Sequence, residues 1–318
     1  MRTMDELVLA CDMGGTNLRI AAVDASGRLF CRAEAETPRH TDASKIVDAV
    51  VRLALECRSV IGSDRDVRGL GLVVPAIIHS SEGKIFSSPN LPELNGFYLS
   101  DALTEKLGLG VMLENDATAA AIGEHWLGAS HGFDSSICVT LGTGVGGGIV
   151  LNGQPVRGPD GTAGEIGHIC VEPLGVHCGC GSFGCLEQYS SASAITRMAS
   201  EMMGQFPDSK LAKEDAFDAL TIYRLGVAGD KLCTEVFRKA GVYLGIALSG
   251  LINVLNPEVI VIGGGVSEGW ELFIDHVRAE IKKRAFKQPA ERAKIVRAAL
   301  GGDAGIIGAA HLAFGKAA

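Results

Sequence analysis

Two hydrophobic periods alternate along this chain, and the switches between them lay out its elements. Short β-branched or alternating runs fill 6–13 (ELVLACDM), 17–25 (NLRIAAVDA) and 28–36 (RLFCRAEAE). GGT and SG turn signals separate them, so three consecutive strands are predicted. Over 42–60, Ile46, Val47, Val50, Val51, Leu53, Ala54 and Leu55 make one apolar face, which predicts a helix with Asp42 or Thr41 as N-cap. VRGLGLVVP (67–75) is the continuous apolar run that a central strand needs. Helix LSDALTEKLG (99–108), strand GVMLEN (110–115) and helix DATAAAIGEHWLG (116–128) follow.

The pattern then repeats. SSICVTLGTGVGGGIVLNGQPV (135–156) again predicts strand, Gly-rich turn and strand. A long helix at 232–256 leads into strand EVIVIGG (258–264), a helix near 270–285, strand KIVRAAL (294–300) and a last helix at about 303–314. Two halves that each open on a Gly-turned hairpin imply a duplicated α/β architecture. The ligand cleft is expected between the halves. The expected domains are 1–117, with the C-terminal helix of 303–318 returning to it, and 118–302.

Composition narrows the class. The chain has 318 residues, 47% hydrophobic and 21% charged, which is ordinary globular usage. Its net charge of −8 argues against nucleic acid as a partner, since such binders carry a basic face. Anionic ligands stay open, because backbone N–H groups and a metal ion can hold them. The N-terminus is acidic where a signal peptide would be basic and apolar, and the most apolar stretch is broken by Asn253, Asn256, Pro257 and Glu258. No membrane partner is expected. Nine cysteines, with Cys11, Cys31, Cys57, Cys138 and Cys233 each alone in an apolar segment, fit buried thiols in a cytoplasmic protein.

Four motifs carry candidate chemistry. In DMGGTN, Asp12 ends a strand ahead of Gly14, Gly15 and Thr16. Such a turn can bring N–H groups to a phosphate, and Asp12 could hold Mg²⁺ through its waters; a plain hairpin turn explains the motif equally well. LGTGVGGG repeats the logic at Gly142, Thr143 and Gly144. It also satisfies G-x-G-x-x-G but continues as a strand, so the dinucleotide reading fails on context. Asn115 and Asp116 stand where a strand meets a helix, either as N-cap or as hydroxyl ligand and general base. VIGGGVS places Gly264 and Gly265 at a strand end, where a nucleotide can lie against the backbone.

The stretch 164–188, GEIGHICVEPLGVHCGCGSFGCLEQ, holds His168, Cys178, Cys180 and Cys185 as H-x9-C-x-C-x4-C. Three thiolates and an imidazole match a closed structural zinc site, and C-x-C without a thioredoxin pattern argues against redox chemistry. His177 is a competing ligand by spacing. Cys170, after GHI, is expected to face the core.

DMGGTN, ENDATAAAIGE, LGTGVGGGI, GEIGHI, CGCGSFGCLEQ and VIGGGVS, in this order over essentially the whole chain, resemble the ROK family, in particular its bacterial glucokinase-like branch. The resemblance implies an actin-like ATPase fold of two ribonuclease-H-like α/β domains and transfer of phosphate from ATP, with Mg²⁺, to a sugar hydroxyl. It implies Asp116 as general base and Asn90, Asn115, Glu165, His168 and Glu187 as sugar ligands. Gly14, Gly15, Thr16, Gly142, Thr143 and Gly144 would hold phosphates, with Gly264 and Gly265 near the adenosine. His168, Cys178, Cys180 and Cys185 match the family's structural Zn²⁺ ligands, in a loop spanning 165–187. A homodimer is the family expectation. Glucose is the expected sugar. Phe97 in NLPELNGF, where Trp is usual, and Ala76, where many members have Gly, leave an N-acetylhexosamine or fructose open. A sugar-responsive regulator is the other class; a strand beginning by about residue 7 leaves no space here for the helix-turn-helix that many relatives carry.

Overall fold

Two five-stranded sheets repeat one strand order in this computed structural model, which describes residues 6–62, 65–79 and 82–315. The first half runs β1 (Leu7–Met13), β2 (Asn17–Asp24), β3 (Leu29–Glu36), α1 (Ala43–Ile61), β4 (Val67–Val74), β5 (Ile77–His79), β6 (Lys84–Ser87), α2 (Leu99–Leu107), β7 (Gly110–Asn115) and α3 (Asp116–Leu127). The sheet order is β3-β2-β1-β4-β7, with β1 antiparallel to β2 and parallel to β4. Strand β1 is covered on both faces. Leu7, Leu9 and Cys11 join the core under α1, while Val8 and Ala10 meet the apolar C-terminal helix. Burial on both faces is why these runs read as continuous rather than alternating.

The second half runs β8 (Ser136–Leu141), β9 (Val145–Leu151), β10 (Gln154–Pro155), α4 (Glu187–Ser190), α5 (Ala192–Met202), α6 (Ala219–Val227), α7 (Lys231–Leu255), β11 (Val259–Gly263), α8 (Trp270–Arg284), α9 (Lys287–Arg292), β12 (Lys294–Arg297) and α10 (Ala304–Gly315). Its sheet order, β10-β9-β8-β11-β12, matches the first sheet position for position, as a duplicated architecture requires. Helix α7 starts at Asp230, whose carboxylate accepts from Cys233 N–H at 3.1 Å, and stops at Asn256 in the left-handed region. Asp42 occupies the N-cap position of α1 but makes no side-chain cap bond. No helix among the described residues is long and apolar enough to cross a membrane.

The chain divides into two units. One comprises residues up to Gly132, Gly148–Gly164 and everything from Ala299; the other comprises Phe133–Gly147 and Glu165–Ala298. This differs from a single break at residue 117, for a local reason. Helix α3 shares an apolar cluster with α10 and β1, so it stays with the first unit. Fully buried Glu124 fastens this arrangement, accepting from Ala129 N–H at 2.7 Å, Leu300 N–H at 2.8 Å and Ala299 N–H at 3.1 Å. Bonds to a charged acceptor are worth about 1.5–3 kcal/mol each. Glu124→Ala is therefore expected to cost at least about 3 kcal/mol and to lower the thermal midpoint by roughly 10 °C. Calorimetry checks this, with Glu124→Gln losing less; a midpoint equal to wild type in the Ala variant would contradict the fastening role.

Candidate functional site

In the first unit the β1–β2 turn is pinned by its own backbone. Gly14 N–H donates to the Asn17 carbonyl at 2.8 Å, and Thr37 both donates its hydroxyl to Gly14 O and its N–H to Thr16 O. The turn lines a cleft of about 580 Å³ together with Asp12, Asn17, Arg19 and Glu34. Asp12 and Arg19 are opposite partners in the β1–β2 register, and their side chains form an ion pair. Asn90 lies against the same turn: a Cβ at Gly15 would stand 3.2 Å from its own. Sequence reasoning missed Arg19 and Glu34; the cross-strand position of Arg19 opposite Asp12 was the available signal.

The β7–α3 junction divides the work between its two residues. Asn115 is the N-cap, its Oδ1 accepting from Ala117 N–H at 3.0 Å and Thr118 N–H at 3.1 Å, while its Nδ2 donates to Ala76 O at 3.3 Å. Asp116 is thereby spared the capping role and is exposed on one side. Protein crowds its carboxyl on the others, and this desolvation, with repulsion from Asp12, raises its pKa above the ordinary aspartate value. Two residues earlier, near the end of β7, buried Glu114 accepts from Arg157 Nε at 2.7 Å and Nη2 at 2.6 Å. Burial raises the Glu114 pKa and the guanidinium opposes that rise.

In the second unit the β8–β9 turn closes the same way, Gly142 N–H donating to Gly144 O at 2.9 Å. Gly142 and Thr143 line one cavity of about 530 Å³ with Gly265, Asp218, Leu220, Tyr223 and Glu268. Gly264 stands at φ +84°, and a Cβ there would meet Leu141 O at 2.4 Å, so only glycine fits between β8 and β11. The structure thus brings together two glycine motifs that lie far apart in the chain. Sequence reasoning missed the α6 wall of the cavity, with Leu220 and Tyr223; Asp218 as N-cap to Thr221 ahead of an apolar run was the available signal.

The loop after β9 and β10 carries a cluster. The ligand atoms of His168, Cys178, Cys180 and Cys185 all lie within 4.8 Å of one another. His168 Nδ1 is 3.7 Å from Cys178 Sγ, and Cys180 Sγ is 3.7 Å from Cys185 Sγ. A tetrahedron with zinc–sulfur bonds of ~2.3 Å has edges of ~3.8 Å, so the donor set fits zinc in type and spacing. His177 is not in the cluster; its ring meets Phe183 edge-on, centroids 5.1 Å apart. Cys170 pairs with Cys185 in a backbone bridge and is exposed, which corrects the expectation that it faces the core. The outer nitrogen of His168, Nε2, is 3.9 Å from Glu165 Oε2. Glu187 Oε2 accepts from Val145 N–H at 3.0 Å, which ties the loop to the β8–β9 turn.

The ROK family profile matches residues 8–316. The chain belongs to the ROK family. This ROK chain has the actin-like ATPase fold. It is similar to the glucokinase of Halalkalibacterium halodurans, 37% identical over 97% of this chain and 95% of that protein. A ROK family glucokinase from Streptomyces griseus, solved in complex with glucose and AMPPNP, is 34% identical, has a TM-score of 0.81 and covers 97% of this chain and 99% of its own. A ROK hexokinase from Thermus thermophilus is 33% identical with a TM-score of 0.82, covering 98% of each chain.

Proposed function

We propose that the chain is an ATP-dependent hexokinase whose sugar is glucose, converted to glucose 6-phosphate. The observation that carries this reading is a desolvated carboxylate, Asp116, in the same unit as a glycine turn and close enough to Asp12 to feel its charge. Phosphoryl transfer asks for positioning and charge neutralisation, together with a base for the attacking hydroxyl. Asp116 takes the proton of the sugar hydroxyl as its oxygen attacks the γ-phosphorus. Gly14 and Gly142 use their N–H groups to close their turns. Gly15, Thr16, Thr143 and Gly144 are then the residues that face phosphate. Asp12, held by Arg19, would carry Mg²⁺ through its water shell; the ion supplies charge neutralisation on the nucleotide. The cavity beside Gly264 and Gly265 takes the adenosine, with the Tyr223 side as its wall.

Asn90, Asn115, Glu165, His168 and Glu187 hold the sugar hydroxyls. Because the cap occupies Asn115 Oδ1, Asn115 meets a hydroxyl as a donor through Nδ2. Zinc on His168 Nδ1 would leave Nε2 for the sugar, and the metal's contribution is to fix this loop. The similarity to glucokinases supports glucose, and a cytoplasmic setting goes with that chemistry. A coupled assay of ADP release across glucose, mannose, fructose, N-acetylglucosamine and N-acetylmannosamine tests the reading. Glucose is expected to give the highest kcat/KM; sugar-independent ADP release would overturn it.

A further inference from the structure

Two pairs of thiols stand close in this protein, and their spacings differ in kind. In the metal cluster the Cys180 and Cys185 sulfurs are 3.7 Å apart, the edge of a ligand tetrahedron. In the first unit, Cys31 Sγ and Cys57 Sγ are 2.6 Å apart. That is well inside the ~3.5–4.0 Å of ordinary non-bonded carbon contacts, although sulfur is larger, and it approaches the ~2.05 Å of a disulfide bond. Each thiol stands alone in an apolar segment of the sequence, and the fold brings the two together. Cys31 lies on β3, the edge strand, opposite Ala22 of β2, and it packs on the core that α1 covers. Cys57 lies on the buried face of α1, its thiol turned also to the Ile20 carbonyl at 3.8 Å.

We propose that Cys31 and Cys57 are a disulfide site that closes on reaction with hydrogen peroxide, stapling α1 to the edge strand β3. The two sulfurs have distinct parts. Cys31 is partly exposed, so a small oxidant from solvent reaches it first, whereas Cys57 is fully buried. The Cys31 thiolate attacks one peroxide oxygen; the O–O bond breaks, an S–O bond forms, and the departing oxygen leaves as water once protonated. The Cys57 sulfur then attacks Cys31 Sγ. The S–S bond forms, the S–O bond breaks, and the sulfenic oxygen leaves as a second water carrying the Cys57 proton. Two electrons pass from the two thiols to one peroxide. Burial and the neighbouring Cys31 raise the thiol pKa of Cys57, so Cys57 stays protonated and Cys31 is the sulfur that meets the oxidant; Cys57 gives up its proton as it attacks, to the departing sulfenic oxygen.

The bridge would close a loop through residues 32–56 and hold an edge strand that is hydrogen-bonded on one side only. Constraining a loop of that length stabilises chiefly by restricting the unfolded chain. The test uses the full-length protein, titrated with hydrogen peroxide, blocked with a thiol alkylator and digested without reduction for mass spectrometry. The expected result is one linked species joining the β3 peptide to the α1 peptide, two hydrogens lighter than their sum. The thermal midpoint should rise by about 5–10 °C, and dithiothreitol should reverse both changes. Cys31→Ala and Cys57→Ala should each abolish the link and the rise. Recovery of Cys31 as an alkylated thiol or a sulfinic acid would overturn the proposal. So would a Cys11–Cys57 link, oxidation of the metal-cluster cysteines with this pair untouched, or a fully linked protein with an unchanged midpoint.

Discussion

Asp116→Asn is expected to lower kcat by at least ~10²-fold, the ordinary contribution of a positioned general base, while the protein stays folded. Both halves of that expectation rest on the junction of β7 and α3. The helix is capped by Asn115, and Asp116 contributes a bond from its Oδ1 to Ala117 N–H, which an asparagine oxygen can replace. Stability should hold or improve for a linkage reason. The native pKa of Asp116 is raised, mainly by desolvation, so ionising it costs stability above its unfolded pKa, and a neutral amide removes that cost. The same shift sets the pH profile. The active carboxylate is present above the raised pKa and is lost as pH falls through it, so the acid limb of kcat/KM in wild type should lie above the ordinary aspartate range. Steady-state kinetics from pH 4 to 8 on both proteins, with calorimetry, check this; wild-type turnover in the variant would falsify the role.

Loss of the metal cluster should have a comparably large effect, divided unequally between the two substrates. Purified protein is expected to carry about one zinc per chain by elemental analysis, and Cys180→Ser should lose most of it, because a hydroxyl is a poor replacement for a thiolate ligand. Without a metal on its Nδ1, His168 is no longer oriented, and its Nε2, 3.9 Å from Glu165 Oε2, loses its fixed place. The sugar KM should rise by ~10-fold or more, as disturbance of a metal ligand's supporting shell typically does. The ATP KM should rise less, though not stay fixed, since Glu187 in the same loop accepts from Val145 N–H beside the β8–β9 turn. Unchanged metal content and sugar KM in Cys180→Ser would show that the cluster is not built as described.

Much of this architecture was legible because its signals are local. The Gly-turned hairpins at β1–β2 and β8–β9, the apolar runs of β4 and β11 and the periodic face of α1 each announce themselves within a dozen residues. The duplication, visible as a repeated pattern, became a repeated strand order. The H-x9-C-x-C-x4-C spacing indicated the cluster, and the fold puts His168, not His177, beside the three thiols. What was not legible depends on who meets whom. Helices α5 and α6 were locally legible but not read: Ala194, Ile195, Met198, Ala199 and Met202 keep a helical period in α5, and only the place of both helices around α7 depends on packing. The division of labour between Asn115 and Asp116 follows from one cap geometry, for which both residue types are equally suited. The exposure of Cys170 follows from its bridge to Cys185, and the meeting of Cys31 with Cys57 from the docking of a helix on an edge strand. The extent of the first unit past residue 117 likewise turns on Glu124, a carboxylate that no motif marks.

The most direct test of the central claim is to watch the phosphorus. Purified protein mixed with glucose, ATP and Mg²⁺ and followed by ³¹P NMR should show the γ-phosphate signal of ATP replaced, mole for mole, by a glucose 6-phosphate resonance, and the Asp116→Asn protein should show almost none over the same time. Loss of ATP to inorganic phosphate alone, or no loss at all with the wild-type protein, would contradict phosphoryl transfer to the sugar.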